Sequence, residues 1–529
     1  MPYGNEPGGK NAGAYLARYV AHYQALDPRR LWTSASGWPE LPENQFHVTP
    51  DPRLQHWGAG LASRLNARPP ETTTDYRAYV AARKVPVLSH EIGEWCVYPN
   101  FDEIPKYTGY LKPKNFGVFH DVLAEHGLAS FARPFLLASG KLQTLCYKED
   151  IESALRTPGM GGFELLDLHD FPGQGTALVG VLDPFWEEKG YVTAREYRRF
   201  CGATVPLARL AKRVFTTAET LEADLEAAHF GPLPIVGLRD YRSPGLTCHP
   251  LTNRWNLRTS DGVARAAGQF VTDRIPVGGL TPLGRVVVDL RGLPAPARYK
   301  LTVRIHGQMW WNANSGRDLE AENDWDLWVY PDHPATGPTN DTLVRAQFDA
   351  AAQAHLQAGG RLLLTVPGAQ VRNYAADPVK LGFSSIFWNT AWTGRQAPTT
   401  LGLLCDPTHP ALAGFPTEDH SNWQWWYLLH RAGALRLDLL PRGLRPVVRL
   451  IDDWTTARPL ALILEGRVGA GRILVCGFDL THGAEDPVSR QMRSSLLAYM
   501  ASPRFAPTTA LTVGQLERLV TPAPAPASP

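Results

Sequence analysis

Apolar residues along this chain change their spacing near Cys201, and that change divides the sequence. Before it, short apolar runs alternate with stretches whose apolar residues fall at helical spacing, the pattern of successive βα units. Strands are predicted at MPYGN, RLWTSAS, QFHV, VPVLSHE and GGFELLDL. Helices are predicted over AGAYLARYVAHYQALD, over TDYRAYVAARK with Thr74 as N-cap, over FGVFHDVLAEHG, from Phe131 to Tyr147, and over KEDIESALRT. From Val205 to Ile305 the helical period fades into short alternating segments such as ARYKLTVRIHG between Pro/Gly-rich turns, the pattern of a β-sandwich of immunoglobulin type. Beyond it, DWDLWVYP, a helix over TLVRAQFDAAAQAHLQAGG, the strands RLLLTVPG and GRILVCGFDL and a last helix VSRQMRSSLLAYMAS restore α/β alternation.

Polar residues gather where the first five strands end: Asn5 and Glu6, Ser36 and Trp38, His47, His90 and Glu91, Asp167 and His169. In (β/α)8 barrels that face carries the active site. A closed barrel needs eight strands, so the pattern predicts the C-terminal part of one, with about three βα units missing from the front. The expected fold is α/β and multidomain. Its divisions are a partial TIM barrel over 1–204, a β-sandwich over 205–305, an open doubly wound α/β domain over 306–505 and a Pro/Ala-rich tail over 506–529 that cannot bury enough surface to order itself.

Composition narrows the function classes. Lys and Arg number 53 against 51 Asp and Glu, without basic blocks, so no nucleic-acid partner is expected. No apolar run is long enough to cross a bilayer, so no membrane partner is expected. The six cysteines are scattered and form no CxxC, which argues against a zinc site and against a disulfide framework. Met1 is followed at once by Pro-Tyr-Gly-Asn-Glu with no export signal, leaving either a cytoplasmic protein or a start that lies further upstream. Sixteen tryptophans and 18 tyrosines lean towards carbohydrate, whose sugar faces stack on flat amphipathic rings.

Glu6 and Glu91 lie 85 positions apart (91 minus 6), each beside a predicted strand end. Two carboxyl groups about 5–5.5 Å apart on one rim suit retaining glycoside hydrolysis, in which one protonates the leaving oxygen and the other attacks the anomeric carbon. That chemistry needs no metal and no cofactor, and none is expected. Glu94 is the rival to Glu91.

GNEP at Gly4–Pro7 resembles the Asn-Glu-Pro at the end of barrel strand four in clan A glycoside hydrolases, and VLSHEIG at Val87–Gly93 resembles their strand-seven nucleophile segment. HEIGEWCVYPNFDEIPKYTGYLKPKNF and GFELLDLHDFPGQGTALVGVLDPFWEEKGY resemble glycoside hydrolase family 2 enzymes of the β-galactosidase/β-glucuronidase type. The resemblance implies Glu6 as acid/base, Glu91 as nucleophile and Asn5 as the group holding the sugar hydroxyl beside the anomeric carbon. It also implies an exo-acting retaining β-glycosidase acting on an oligosaccharide or glycoconjugate. Trp38, Trp57 and Trp95 are candidate stacking platforms, with His90, Asp167, His169 and Asp170 as further candidate substrate contacts. The family's order of domains departs from this chain, which opens at strand four and carries GFELLDLHD where strand eight is usually tryptophan-rich.

NDWDLWVYP, AGGRLLLTVPG and DPTHPALAGFP resemble the class I glutamine-amidotransferase-like domains appended to some glycosidases. No G-x-C-x-G occurs, and Cys476 falls at a late strand end, so an interaction role, including a possible homo-oligomer, is expected there in place of transferase activity. A catalytically inactive carbohydrate-binding or assembly module is the alternative to the hydrolase.

Overall fold

The computed structural model describes residues 1–55, 58–171, 175, 177–240, 247–312, 315–334, 342–385, 396–481 and 486–520. Trp57 and the last nine residues of the tail lie outside them. The chain is a mixed α/β protein with several sheets, one of them a curled half-barrel. Among the described residues no helix is long and apolar enough to cross a membrane.

The half-barrel is a parallel three-stranded sheet of β1 (His47–Thr49), β2 (Val87–Gly93) and β3 (Met160–Leu166), in that order. The first two predicted strands shrink to one parallel bridge, Asn5 to Ser36, flanked by backbone hydrogen bonds from Tyr3 N to Ser34 O, Ser36 N to Gly4 O and Glu6 N to Ser36 O. Pro2 and Gly4 interrupt the first segment, and Gly37 and Pro39 follow directly on the second; neither residue type sustains a ladder. Gly37 N then donates to Val48 O and continues the curl into β1.

Helix Ala12–Leu26 forms where its periodicity placed it and buries Leu16 and Val20. The helix expected over TDYRAYVAARK is shorter, Arg77–Ala81, and its N-cap is Tyr76, not Thr74. The two helices expected between Phe131 and Thr157 are one, Ala132–Leu155, because nothing between Tyr147 and Lys148 breaks the backbone ladder. This helix buries polar side chains as well as apolar ones. Gln143 Nε2 donates to Trp95 O at 2.7 Å and Val179 O at 2.9 Å, and Asp150 accepts from Leu54 N at 3.2 Å and Gly93 N at 3.0 Å. It thereby pins the end of β2.

The described residues of 204–330 include two large sheets that share one core, and a separate two-stranded pair, Arg239–Asp240 with Thr247–Cys248. Leu221, Leu225 and Val286 of the three-stranded sheet pack with Leu257, Val303 and Trp325 of the seven-stranded one. DWDLWVYP is not the first strand of the following α/β region. It ends the long strand Ser315–Tyr330, which pairs antiparallel with Ala297–Asn312, so the expected division at 305 falls inside a strand. The alternation of Leu319, Ala321, Asn323, Trp325 and Leu327 on one face has period two and explains the outcome.

In the C-terminal sheet, Thr342–Arg345, Arg361–Thr365 and Gly471–Cys476 run parallel, and Leu460–Val468, Val448–Leu450 and Leu403–Cys405 follow in antiparallel pairs. TLVR, expected as helix, is the edge strand. The helix begins only at Ala350, where the Asp349 side chain accepts from Ala352 N. One hydrophobic core joins this sheet to the half-barrel, running from Trp95, Tyr147 and Ile151 to Trp425, Leu462 and Met492.

Candidate functional site

The centre of the half-barrel rim is built by an irregularity in β2. Ser89 pairs with Phe163 and Ile92 with Leu165, so His90 and Glu91 together oppose the single residue Glu164. This is a β-bulge, and Glu91 adopts the left-handed backbone that such a bulge uses, φ 51°. In a regular strand consecutive side chains point to opposite faces. The bulge cancels that alternation and brings both side chains to one place: His90 Nε2 lies 3.4 Å from Glu91 Oε1.

Glu6 reaches the same point from the neighbouring rim segment. His90 Nε2 is 3.2 Å from Glu6 Oε1, and the facing atoms of Glu6, His90 and Glu91 all lie within 4.8 Å of one another. Asn5 Nδ2 donates to Glu91 Oε1 at 3.5 Å. On its other side His90 Nδ1 meets Ser36 Oγ at 2.9 Å and Glu164 Oε2 at 3.1 Å, and the Ser36 hydroxyl donates to the same Glu164 oxygen. Gly37, at φ 95°, closes the wall. A Cβ there would stand 3.0 Å from Glu6 Cγ and 3.2 Å from His90 Nε2, so no other residue type fits without displacing the cluster.

Glu6, at φ 44°, Glu91 and Glu94, at φ 60°, are three of the five non-glycine residues with positive φ among the described residues. Such backbones cost on the order of 1–3 kcal/mol each and concentrate at functional sites. Burial lowers the pKa of His90, but its hydrogen bond to Glu164, the charge of Glu91 and its hydrogen bond to Glu6 outweigh that and raise the value above that of an ordinary histidine. Burial raises the Glu91 carboxyl, with Glu6 adding to the rise and His90, Arg53 and Asn5 opposing it. Burial also acts to raise Glu164, yet His90 and Ser36 bring it below the usual carboxylate range.

The remaining candidates are placed differently. Trp38 is 42% exposed and its Nε1 donates to Pro7 O at 3.2 Å, next to Glu6. Trp95 is wholly buried in the core, so neither face of its ring is open to a sugar. Glu94 is buried beside Arg53, with Oε2 3.5 Å from Nη1. The Asp167 carboxylate accepts from Leu168 N at 2.7 Å. His169 Nδ1 meets Asp170 O at 2.7 Å, and its ring packs 4.6 Å from the exposed Trp186. Asp170 is buried against Lys189 at 2.6 Å. In the C-terminal sheet Cys476 is buried, and burial pushes its thiol up, away from nucleophilic use.

Two neighbours of the cluster escaped the sequence reading. Glu164 announces itself only as a charge inside the apolar run GGFELL, and Arg53, whose Nη1 donates to Glu91 O at 2.8 Å, lies in a loop with no pattern to mark it.

Comparisons with known proteins add the following. Two domain families of unknown function match parts of the chain, DUF8488 over residues 246–331 and DUF8487 over residues 343–521. No curated protein matches it. Similar solved structures include the sporulation control protein Spo0M of Bacillus subtilis, at 10% identity and TM-score 0.16 over 25% of this chain and 51% of that one. The alkylpurine DNA glycosylase AlkC of Pseudomonas fluorescens is 12% identical, at TM-score 0.15 over 25% of this chain and 32% of that one. The β-glucuronidase of Parabacteroides merdae is 7% identical, at TM-score 0.15 over 31% of this chain and 21% of that one. The chain thus spans about half or less of each, and likenesses this faint carry no functional argument.

Proposed function

We propose that the Glu6–Glu91 pair is the acid/base and nucleophile of a retaining glycoside hydrolase, removing a terminal sugar from an oligosaccharide or glycoconjugate through a covalent glycosyl-enzyme intermediate. The reading takes the half-barrel as the C-terminal part of a (β/α)8 barrel of family 2 type, the region over 204–330 as an immunoglobulin-type sandwich and the C-terminal α/β sheet after it as an amidotransferase-like domain. The observation that carries it is the approach of the two carboxylates within 4.8 Å. Retaining enzymes hold their carboxyl groups about 5–5.5 Å apart, whereas inverting enzymes leave about 6.5–9.5 Å for a water.

In the proposed step Glu91 attacks the anomeric carbon while Glu6 delivers its proton to the departing oxygen; water then takes the sugar as Glu6 withdraws the proton. Burial raises the Glu91 carboxyl and the charge of Glu6 adds to the rise, while His90, Arg53 and Asn5 favour the ionised form that a nucleophile needs. Once Glu91 is esterified its charge is gone and Glu6 can serve as base.

His90 supports a second reading, a catalytically inactive carbohydrate-binding module. Its ring bridges both carboxylates and its charge favours the ionised form of Glu91, an arrangement that also suits accepting hydrogen bonds from sugar hydroxyls without bond cleavage. Incubation with activated 2-fluoro sugars, followed by peptide mass mapping, separates the two. A sugar adduct on the peptide carrying Glu91 is expected; sugar binding without any adduct would establish the second reading instead.

A further inference from the structure

A cavity of about 630 Å³ lies away from the carboxylate cluster, between the C-terminal sheet and the loop that follows β1. It opens past the carboxyl end of strand Arg361–Thr365, beside Gly471–Cys476, where the sheet changes from parallel to antiparallel pairing. Ligands of open α/β sheets bind at such ends. The opposite wall is Gly58–Leu61, so the cavity also lies where two parts of the chain meet.

Its floor is backbone. A Cβ on Gly368 would stand 2.4 Å from Arg431 O, and one on Gly433 2.5 Å from Val371 Cβ, so glycine at both positions lets the segments that line the cavity pack against each other. Most of the remaining lining is small or aliphatic, and among the described lining residues there is no aromatic ring and no carboxylate. A nucleobase would find nothing to stack on. Lys380 is the one charged residue among them, and its ammonium has no ion pair among the described residues. The nearest acidic residue in sequence, Asp377, is already engaged by Arg436 and Arg458, each at 2.8 Å. The Asn373 side chain fixes the backbone just before Lys380, accepting from Val379 N at 2.8 Å and donating to Val379 O at 3.1 Å. Thr399 also lines the cavity; it is 2% exposed, and its hydroxyl is buried without a hydrogen-bond partner. A buried hydroxyl left unpaired is costly, and a ligand hydroxyl in the cavity would offer it a partner.

We propose that this cavity is a second ligand site, for a small hydroxylated molecule carrying one anionic group, with Lys380 as counter-charge and Thr399 as a hydroxyl partner. The site does not rest on the hydrolase reading, because it shares no residue with Glu6, His90 and Glu91.

Calorimetric titration of the full chain with gluconate, glucose 6-phosphate and glucose tests it. At least one anion is expected to bind about tenfold or more tighter than glucose. Lys380→Met, which keeps the aliphatic stem, is expected to bring that anion down to the glucose level, and Thr399→Val to weaken all three. Binding of gluconate alone would assign a carboxylate ligand, and of glucose 6-phosphate alone a phosphorylated one. Absence of saturation by either anion up to about 10 mM would overturn the proposal, as would equal binding to the Lys380→Met protein. Loss of binding in Glu91→Gln would move the ligand to the carboxylate cluster and overturn it too.

Discussion

The rim cluster around His90 and the cluster along helix Ala132–Leu155 are made of the same kinds of residue and are held differently. Along the helix, Glu149 and Glu152 lie among three cations. Arg156 reaches Glu149 at 2.8 Å, Arg213 reaches it at 3.1 Å, and Lys148 reaches Glu152 at 2.5 Å. Asn323 and the Trp325 indole complete Glu152 at 2.7 and 3.0 Å. Glu149 and Glu152 each have a counter-charge, on ordinary helical backbone. At the rim, Glu6, Glu91 and Glu164 share one histidine, and two of the three sit on left-handed backbone. The helix cluster fastens the half-barrel to the sheets that follow, since Arg213, Asn323 and Trp325 belong to them. The rim cluster keeps acid in excess in a half-buried place, which folding alone gives no reason to do.

That contrast predicts opposite responses to mutation. The largest expected effect is at the rim: Glu6→Gln and Glu91→Gln each lower glycosidase turnover by about 10²–10⁴-fold while leaving the denaturation midpoint nearly unchanged. Initial rates with an activated aryl glycoside, beside urea melts of the same proteins, measure both. A large loss of stability in either variant would make the rim a structural cluster like the other.

Next comes the helix cluster. Arg213→Met strands Glu149 with one cation in a dry setting and is expected to cost roughly 3–5 kcal/mol in urea denaturation, without changing the rim's pH response. A cost near zero would mean that water reaches the cluster in the native state.

Glu103 sharpens the comparison: among the described residues neither of its carboxylate oxygens has a hydrogen-bond partner. It is 0% exposed, and burial, helped by Asp170 and Asp183 and opposed by Lys189 and Lys106, pushes it up to about 8. The folded chain therefore keeps a proton that the unfolded chain has already released above about 4.5. Unfolding releases that proton, so stability falls as pH rises between those two values and levels off above them. Glu103→Gln, which mimics the protonated acid, is expected to be more stable than the natural chain at pH 8 by roughly 2–4 kcal/mol and equal to it near pH 4. Denaturation midpoints across that range give the slope, and parallel curves for the two proteins would rule out a buried neutral acid.

Part of this was legible along the sequence. The periodicity of AGAYLARYVAHYQALD located the helix Ala12–Leu26, and VPVLSHE located β2, because both signals are complete within a dozen residues. The strand at Thr342–Arg345 and the fusion of two predicted helices into Ala132–Leu155 were not legible, because neighbouring elements and the lack of a breaker decided them. Trp95 illustrates the limit for site residues: an aromatic after a strand-end glutamate fits a stacking platform or a core, and only packing assigned it to the core.

The sequence by itself determined the alternation of βα and β patterns, the absence of a charge footprint for nucleic acid, and the two glutamate-bearing segments flanked by glycine and proline. Those properties are local or compositional, and short-range propensity and charge count suffice to set them. Only the tertiary structure decided that Glu6 and Glu91 meet across 85 positions, that Glu164, Ser36 and Arg53 surround them, and that His90 stands between. The meeting depends on the register between β2 and β3, where two residues are set against one. Register is fixed by what each strand buries on both faces and by the helix that pins Gly93, so no stretch of β2 carries it alone.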